Sequence, residues 1–338
     1  MSFYTTITTI QNPTSCVEEL VNHLQKSNSF LIVAGDRKGP LSYDLPNTVF
    51  LDIENQIQSG FSLAKDLPER HYARKNIAYL RAIQEGASSI YETDDDNAPM
   101  IHWVPRSETV ENLRKVDREW SKIRSPEWVN VYRYFTDESI WPRGLPLDEI
   151  HKPLPDVSAL DSIRAPIQQG LVNHSPDVDA IWRLTQDRPF DFNQSPSIYL
   201  PPSLWCPFNT QSTWWWPIAY PLLYIPSYCS FRMCDIWKSF VAQRCLWELD
   251  VGIVFHAPEV RQERNEHDLM RDFRDEIPGY DRNNELIGAL INSELKKGET
   301  AVAENLYSCY ETLVEAGFFP EKELELVKAW IQDIGGNA

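Results

Sequence analysis

Three consecutive carboxylates, Asp94, Asp95 and Asp96, are the residues of this sequence whose type and spacing most directly indicate chemistry. Adjacent negative charges repel one another, so such a run needs a physical cause. Hard divalent cations such as Mg²⁺ and Mn²⁺ take oxygen ligands and bridge to phosphate oxygens. The triplet therefore predicts a cation site for a nucleotide diphosphate. The alternative is a solvated turn or a helix cap, the commoner setting of an acidic run.

The segment before the triplet favours the cation site. Residues 74–85 have apolar side chains at helical spacing, and Gly86 follows where a helix would end. Ile90 and Tyr91 then form a short strand-like run, so the acids follow the carboxyl end of a strand. In open α/β sheets ligands bind at that edge.

The wider pattern predicts the elements that position these acids. Residues 3–10, 30–33 and 48–53 are expected to form strands, and a helix is expected to begin at Thr14 or Ser15. Alternating strands and helices predict a largely parallel sheet covered by helices. Residues 97–161 have weak periodicity and predict long loops. The segments 234–249, 301–317 and 321–334 have helical spacing.

Composition excludes several classes of function. The 338 residues include 32 basic and 49 acidic side chains, a formal charge of -17. Such a surface repels nucleic acid and anionic membranes, although a local basic pocket could hold a phosphate. The six cysteines have no CxxC spacing and are expected to be reduced thiols. GxGxxG, P-loop, GxSxG and HExxH motifs are absent.

The sequence also carries expectations about location and assembly. No basic flank followed by an apolar core occurs near the N-terminus, and the apolar stretch 214–226 is interrupted by two prolines. We therefore expect no secretory signal, no membrane span and a cytoplasmic location. A homo-oligomer is left open. Three adjacent tryptophans, 214–216, are either a stacking surface for sugar rings, with Trp215 in contact, or a cover over the sheet core.

Several blocks of the sequence resemble the plant STELLO glycosyltransferase-like proteins and their microbial and animal relatives. More distantly, two blocks are similar to the plant reversibly glycosylated polypeptides, which are UDP-arabinopyranose mutases. The resemblance implies a GT-A type, Rossmann-like α/β fold with a mixed sheet flanked by helices. It implies a glycosyltransferase domain over residues 1–265 and a C-terminal helical extension over 266–338. The blocks are VAGDRKGP (33–40), RKNIAYLRAIQEGASSIYETDDD (74–96), IWPRGLP (140–146), QQGLVNHSPDVDAIWRL (168–184) and SFRMCDIWKSFVAQRCL (230–246).

The resemblance implies a donor site. Asp94 and Asp96 would hold Mn²⁺ or Mg²⁺ against the diphosphate of a UDP-sugar, with Asp95 beside the nucleotide. Negative charge grows on the diphosphate as the sugar leaves, and the cations Arg74 and Lys75 would stabilise it. The residues expected to border the nucleoside are Thr8, Thr9, Asp36 and Lys38.

The third protein ligand of this metal is less well defined. The reversibly glycosylated proteins have a His after a Pro near this point, and alignment on Pro258 places Gln262 there. His256 is therefore assigned to the metal, with His267 as a substitute.

The resemblance also assigns residues to the transferred sugar and its acceptor. Asp235 is expected to be the general base, although an acid in a first helical turn is also explained by the helix dipole. Arg164 is expected to take part in catalysis, or else to be a surface arginine. Residues expected to contact substrate are Arg143, Gln169, Asp177, Asp179 and Trp215; a structural role is an equal alternative for the two acids.

Three functions follow from this reasoning. The first is a metal-dependent glycosyltransferase that moves a sugar from a UDP-sugar to a glycan or other hydroxyl acceptor. The second is a UDP-sugar pyranose/furanose mutase or a self-glycosylating protein. The third is a scaffold that has the fold and lacks catalysis.

Overall fold

The structure is a computed structural model that describes residues 2–117, 127–186, 188–264 and 268–336. Within these ranges the strands are β1 (Tyr4–Thr8), β2 (Phe30–Ala34), β3 (Thr48–Leu51), β4 (Ile90–Thr93), β5 (Asn97–Pro99), β6 (Thr109–Val116), β7 (Glu127–Trp128), β8 (Val157–Arg164), β9 (Ile167–Asn173), β10 (Ile198–Leu200), β11 (Leu204–Trp205), β12 (Ser212–Trp215) and β13 (Ile253–Gln262). The helices are α1 (Ser15–Lys26), α2 (Ile53–Gln58), α3 (Leu63–Asp66), α4 (Lys75–Gln84), α5 (Ala180–Gln186), α6 (Cys234–Trp247), α7 (Leu269–Asn292), α8 (Val302–Glu315) and α9 (Lys322–Gly335).

One large mixed sheet organises the fold. Its strand order is β3-β2-β1-β4-β12-β9-β13-β10-β6-β8, with β5 paired to β13. Strands β1 to β4 pair in parallel, whereas β12 is antiparallel to both β4 and β9. The predicted fold class, a mixed α/β sheet flanked by helices with further helices at the C-terminal end, is confirmed.

The strand order reverses between β1 and β4. From β1 the chain continues through α1 to β2 and then to β3 on one side, whereas β4 pairs with the opposite side of β1. At such a reversal the connections leave the carboxyl ends of the two strands in opposite directions and open a crevice. The acids that follow β4 therefore lie at the mouth of this crevice.

Local signals explain the elements around the crevice. Thr14 caps α1, because its Oγ1 accepts a hydrogen bond from the Val17 backbone N–H at 3.2 Å. The predicted helix over residues 74–85 is α4, and Gly86 follows it with φ +77°, a conformation that glycine adopts without strain.

The sheet separates two hydrophobic clusters. Ile90 of β4 and Trp215 of β12 lie in the larger cluster, whereas Tyr91 and Trp214 lie in the smaller one. Successive strand residues point to opposite faces, so both faces of this part of the sheet are buried.

Residues 97–161 contain more strand than the predicted loops. Strands β6 and β8 pair antiparallel at one end of the sheet, with Val116 opposite Val157. Most of their side chains are exposed or half-buried, so neither strand has the apolar alternation that would reveal it in the sequence.

The C-terminal helices pack onto the sheet domain. Leu286 of α7, Leu306 of α8 and Trp330 of α9 share the larger hydrophobic cluster with Phe240 of α6. The division of the chain at residue 265 stays a prediction.

Among the described residues, none of the helices combines the length and the apolar character that crossing a bilayer requires.

Candidate functional site

A cavity of about 500 Å³ opens at the carboxyl ends of β1, β2 and β4. These ends meet there because the three strands are parallel neighbours. The predicted site residues that line it are Thr8, Thr9, Asp36, Lys38, Asp94, Asp95, Asp96, Arg143, Asp177 and Asp235. Residues far apart in the sequence thus line one cavity, as the donor-site prediction requires.

Asp95 joins the two strands that flank the crevice. Its Oδ2 accepts a hydrogen bond from the Thr9 hydroxyl, and its backbone oxygen accepts one from the Thr14 hydroxyl. Burial raises the pKa of Asp95 above its ordinary value. This carboxylate therefore fixes the acidic turn (residues 94–96) against β1.

Two side chains donate hydrogen bonds to the Asp94 carboxylate. Both Tyr72 Oη, at 2.7 Å, and Lys75 Nζ, at 3.1 Å, donate to its Oδ1. The Lys75 side chain is fully buried, whereas that of Asp94 is 24% exposed. Lys75 thus acts on the cavity through the Asp94 carboxylate.

Asp96 carries a buried oxygen that lacks a partner. Its Oδ2 accepts from Gln262 Nε2 at 2.9 Å, while its Oδ1 has no hydrogen-bond partner in the described part of the chain. Burial, and then the negative charge of Asp94, raises the pKa of Asp96 to about 7. A hard cation beside Asp94 would satisfy this oxygen, so the two carboxylates fit a Mn²⁺ or Mg²⁺ ion.

Protein ligands alone would not complete such a site. In residues 2–117, 127–186, 188–264 and 268–336, no group of three or more His, Cys, Asp or Glu side chains could hold a metal ion. A cation at Asp94 and Asp96 would therefore take its remaining ligands from water or from substrate oxygens, as Mg²⁺ commonly does with phosphates.

The end of the cavity beside the carboxyl end of β2 has the polarity expected for a nucleoside. Asp36 Oδ2 accepts a hydrogen bond from the His71 backbone N–H at 3.0 Å. Lys38 and Arg70 line the same region, next to Thr8 at the end of β1. These groups supply both donors and acceptors for a base and a ribose.

Arg143 organises the wall that carries Asp177 and Asp235. Its Nε and Nη2 donate to the two oxygens of Asp177, each at 2.8 Å. Burial lowers the pKa of Arg143, but the charges of the two aspartates outweigh it and hold the pKa well above the ordinary value. For Asp177 burial acts to raise the pKa, and the attraction of Arg143 prevails and lowers it.

The structure does not bring Arg74 to the cavity. Arg74 is only 1% exposed, and its Nε donates to Gln56 Oε1 at 2.8 Å. Its Nη1 donates to the backbone oxygens of Ala64 and Leu67. A guanidinium used in this way holds loops together and cannot contact a diphosphate, so the expected role of Arg74 is corrected.

Arg164 also lies outside the cavity. It belongs to β8, where its side chain is 56% exposed and pairs with Glu108 and Glu299. It lines a second, separate groove. This is the surface arginine of the alternative interpretation, because β8 pairs with β6 at an end of the sheet remote in strand order from β1 and β4.

His256 is not a neighbour of the acidic turn. It is buried in β13, with Nδ1 2.7 Å from Ser197 Oγ and Nε2 3.0 Å from Gln168 Oε1. Burial holds its pKa well below the ordinary value. Gln262, six residues further along β13, contacts Asp96 instead, and the substitute His267 lies outside the described residues.

Three further predicted substrate contacts are buried structural groups. Trp215 donates from Nε1 to Glu92 at 2.7 Å, so its ring is in the core. Gln169 Oε1 accepts from the Asn209 backbone N–H at 2.9 Å. Asp179 accepts from the Trp182 backbone N–H at 2.8 Å near the start of α5, and burial raises its pKa to about 6. None of the three lines the cavity.

Several cavity residues were missed by the sequence analysis. Tyr72 lies two residues before the family-like block that begins at position 74, so its contact with Asp94 had no signal. Arg183 and Arg232 lie inside such blocks, and the quoted blocks could have drawn attention to them. The other missed residues that bear on the argument are Phe231 and Arg264.

Comparisons with known proteins agree with the resemblance. The family model described as STELLO glycosyltransferases matches residues 232–336. Two curated Arabidopsis thaliana proteins are similar to nearly the whole chain: Probable glycosyltransferase STELLO2 is 26% identical over 338 residues, and Probable glycosyltransferase STELLO1 is 28% identical over 340 residues.

The two alignments cover 94% of this chain but only 43% of STELLO2 and 42% of STELLO1. The chain thus spans less than half the length of these relatives. The resemblance to the STELLO-type family is confirmed, whereas the more distant one to the reversibly glycosylated polypeptides stays a prediction.

Proposed function

We propose that this chain is a metal-dependent glycosyltransferase that moves a sugar from a UDP-sugar to a hydroxyl group of a glycan or other acceptor. One observation carries the proposal: Asp94 and Asp96 open into a cavity at the reversal of strand order, with a buried Asp96 oxygen that lacks a partner in the described chain. The similarity to proteins named as glycosyltransferases supports the same reaction class.

The donor lies along the cavity in this proposal. The nucleoside occupies the end lined by Thr8, Asp36 and Lys38, and the diphosphate lies at the acidic turn. Thr9 holds the acidic turn through Asp95, so the nucleoside and diphosphate ends are fixed relative to each other. A prearranged site of this kind lowers the entropic cost of orienting the reacting groups.

Transfer breaks the bond between the anomeric carbon and the diphosphate oxygen, and the acceptor oxygen forms the new bond. Negative charge therefore grows on the diphosphate. A cation on Asp94 and Asp96 would supply Lewis-acid stabilisation of that charge. Lys75 contributes indirectly, because its hydrogen bond to Asp94 Oδ1 keeps that carboxylate oriented.

The acceptor hydroxyl must lose a proton. Asp235 of α6 is our candidate base because it lines the same cavity as the acidic turn. Both of its oxygens accept hydrogen bonds from Arg143, which fix its orientation. Each oxygen keeps a further lone pair for a hydroxyl, so Asp235 and Asp177 are also suited to bind sugar hydroxyls.

The mutase alternative relied on a catalytic role for Arg164. Because Arg164 does not line the cavity and is paired with two glutamates, it offers no support for this alternative.

The test is UDP release from a panel of UDP-sugars, with and without Mn²⁺. We expect release with at least one sugar and its loss in Asp94→Asn and Asp96→Asn, both folded by circular dichroism. Asp161→Asn is the matched control, because Asp161 is exposed on β8 and outside the cavity.

Full activity in either cavity variant would overturn the assigned metal site. Calorimetry that detects neither UDP nor Mn²⁺ binding would favour the non-catalytic scaffold. Ring-form exchange of a UDP-sugar without acceptor, followed by NMR, would identify a mutase.

A further inference from the structure

One arginine in the cavity is buried without a carboxylate partner. Arg183 of α5 is 7% exposed, and its Nη2 donates to Ser175 Oγ at 2.9 Å and to the Pro176 backbone oxygen at 2.5 Å. Its Nε and Nη1 have no hydrogen-bond partner among the described residues. A charge removed from water in this way is costly unless an anion compensates it.

The Arg183 side chain lies at the cavity and is restricted by a neighbouring ring. The guanidinium carbon lies 5.4 Å from the centre of the Trp182 ring, which limits how the group can turn. Arg183 lines the cavity together with Pro176 and Asp177. Since its Nη2 already donates to Ser175 Oγ and to the Pro176 backbone oxygen, Nε and Nη1 are the donors that remain for a ligand.

Two further arginines surround Arg183. Arg232 Nη2 pairs with Glu276 at 2.8 Å, and Arg264 Nη2 pairs with Asp272 at 3.1 Å. Burial and then repulsion from Arg264 lower the pKa of Arg183 to about 10; the attraction of Asp177 opposes this shift, and repulsion from Arg232 adds to it. Arg183 thus differs from its neighbours, which each have an acidic residue of α7 at hand.

This basic wall adjoins the acidic turn. Gln262, which contacts Asp96, is two residues before Arg264 in the chain. A substrate that binds beside Asp96 therefore also meets Arg264, and Arg183 lies next to it in the same cavity. An anionic group would be attracted to these arginines and repelled by the carboxylates of the cavity. Its preferred position is therefore beside the arginines.

We propose that Arg183 and Arg264 form a phosphate subsite, in which a phosphate group of a substrate binds between the two guanidinium groups. Planar guanidinium donors match the spacing of phosphate oxygens, and charge-assisted hydrogen bonds of this kind are strong. The proposal rests on the proposed function in that it adds a partner for this same cavity. The phosphate belongs either to the donor diphosphate or to a second, phosphorylated substrate.

The experiment measures binding by calorimetry to the full chain with Mg²⁺ present. The ligands are UDP, uridine and inorganic phosphate, the last added to the free protein and, separately, to protein saturated with UDP. The variants are Arg183→Gln and Arg264→Gln. Arg188→Gln is the matched control, because Arg188 also lies over the Trp182 ring, at 6.0 Å, but pairs with Glu138 and does not line the cavity.

A donor diphosphate in the subsite predicts that UDP binds at least 10-fold more weakly to both cavity variants, while uridine binding is unchanged. A second phosphorylated substrate predicts unchanged UDP binding and loss of the inorganic phosphate that binds to the UDP-saturated wild type. In both cases Arg188→Gln behaves as wild type. Unchanged binding of all three ligands to Arg183→Gln and Arg264→Gln would overturn the subsite.

Two controls keep the result interpretable. If Arg183→Gln fails to fold, Arg264→Gln decides alone, since that side chain is 21% exposed. If wild type binds inorganic phosphate but not UDP, and both cavity variants lose the phosphate, the subsite stands and the UDP-sugar donor is wrong. A wild-type protein that binds neither UDP nor phosphate overturns the subsite as well.

Discussion

Arg143 holds Asp235 by two hydrogen bonds, from Nη1 to Oδ1 at 2.9 Å and from Nη2 to Oδ2 at 2.8 Å. The same guanidinium also binds both oxygens of Asp177. One buried cation therefore fixes two carboxylates on the wall of the cavity. Asp235 is therefore presented to the cavity in a defined orientation.

Removal of Arg143 should be strongly destabilising. In Arg143→Met two buried carboxylates lose their cation, and we expect the free energy of unfolding to fall by about 3–5 kcal/mol. Urea denaturation at pH 7 measures this loss.

The matched variant for this prediction neutralises the two acids as well. Arg143→Met combined with Asp177→Asn and Asp235→Asn should recover a large part of the stability, because the cost comes from uncompensated charge and not from lost packing. Equal stability of the single and the triple variant would contradict this explanation.

The stability of the metal-free protein should depend on Asp96. Its folded-state pKa of about 7 exceeds the ordinary carboxyl value, so the folded state retains a proton that the unfolded chain releases. Stability is therefore lost as pH rises from about 4 to about 7 and is constant above that range. The contribution is on the order of 4 kcal/mol.

Asp96→Asn isolates this effect from other titrating groups. Relative to wild type, the variant should be more stable at pH 8 by a few kcal/mol, and this gain should shrink at pH 5. Urea denaturation in the presence of a chelator gives both values. A difference between the two proteins that is the same at pH 5 and pH 8 would reject the assignment to Asp96.

Phe231 is expected to be a platform for the acceptor sugar. It is 54% exposed and lines the cavity, with its ring nearly perpendicular to that of Tyr72 at 6.1 Å, so its exposed part is open to the C–H face of a sugar. Phe231→Ala should raise the acceptor KM about 2- to 10-fold, equivalent to about 0.5–1.5 kcal/mol of stacking. Steady-state kinetics at saturating donor measure this effect.

The thermal midpoint of Phe231→Ala should change little, because an exposed ring contributes little to folding. Leu41→Ala is the control: Leu41 is 93% exposed and outside the cavity, and its KM should equal that of wild type. If Phe231→Ala left the acceptor KM unchanged, the ring would not contact the acceptor.

Gly144 is required next to Arg143. Its φ is +91°, and a Cβ placed there would lie 2.4 Å from Ile236 Cγ2. Gly144→Ala should cost about 2–3 kcal/mol, the sum of an unfavourable backbone conformation and a forced shift of Ile236. Gly60 has a φ of +88° with no atom within 4 Å of such a Cβ, so Gly60→Ala should cost only the backbone part. Equal losses in urea denaturation would show that the contact with Ile236 is irrelevant.

Local patterns in the sequence were sufficient to predict where the acidic turn lies in the fold. The helical spacing before Gly86 and the short apolar run at Ile90 depend on residues close in sequence, and the structure has α4 and β4 there. The parallel arrangement of β1, β2 and β4 also follows from alternating elements. Together they were enough to place residues 94–96 at the ligand-binding edge.

Strands β6 and β8 were not predicted, because most of their side chains are exposed or half-buried and the apolar residues Val110, Leu113 and Val116 recur every third position instead of alternating. The three tryptophans at 214–216 gave an ambiguous signal for a related reason. A buried ring and a sugar-binding ring have the same side chain, and only their position in the sheet separates the two roles.

By itself, then, the sequence determined the alternation of strands and helices around the acids, the edge at which the acids lie and the oxygen chemistry they offer, because each depends on local spacing and residue type. Only the tertiary structure decided which charges face the cavity. Arg74 donates hydrogen bonds to Gln56 and to backbone oxygens. Arg183 instead lines the cavity, where two of its nitrogens have no hydrogen-bond partner among the described residues. Arg143 meets Asp177 and Asp235 across 34 and 92 positions of sequence. Such pairings depend on long-range packing, which leaves no pattern in neighbouring residues.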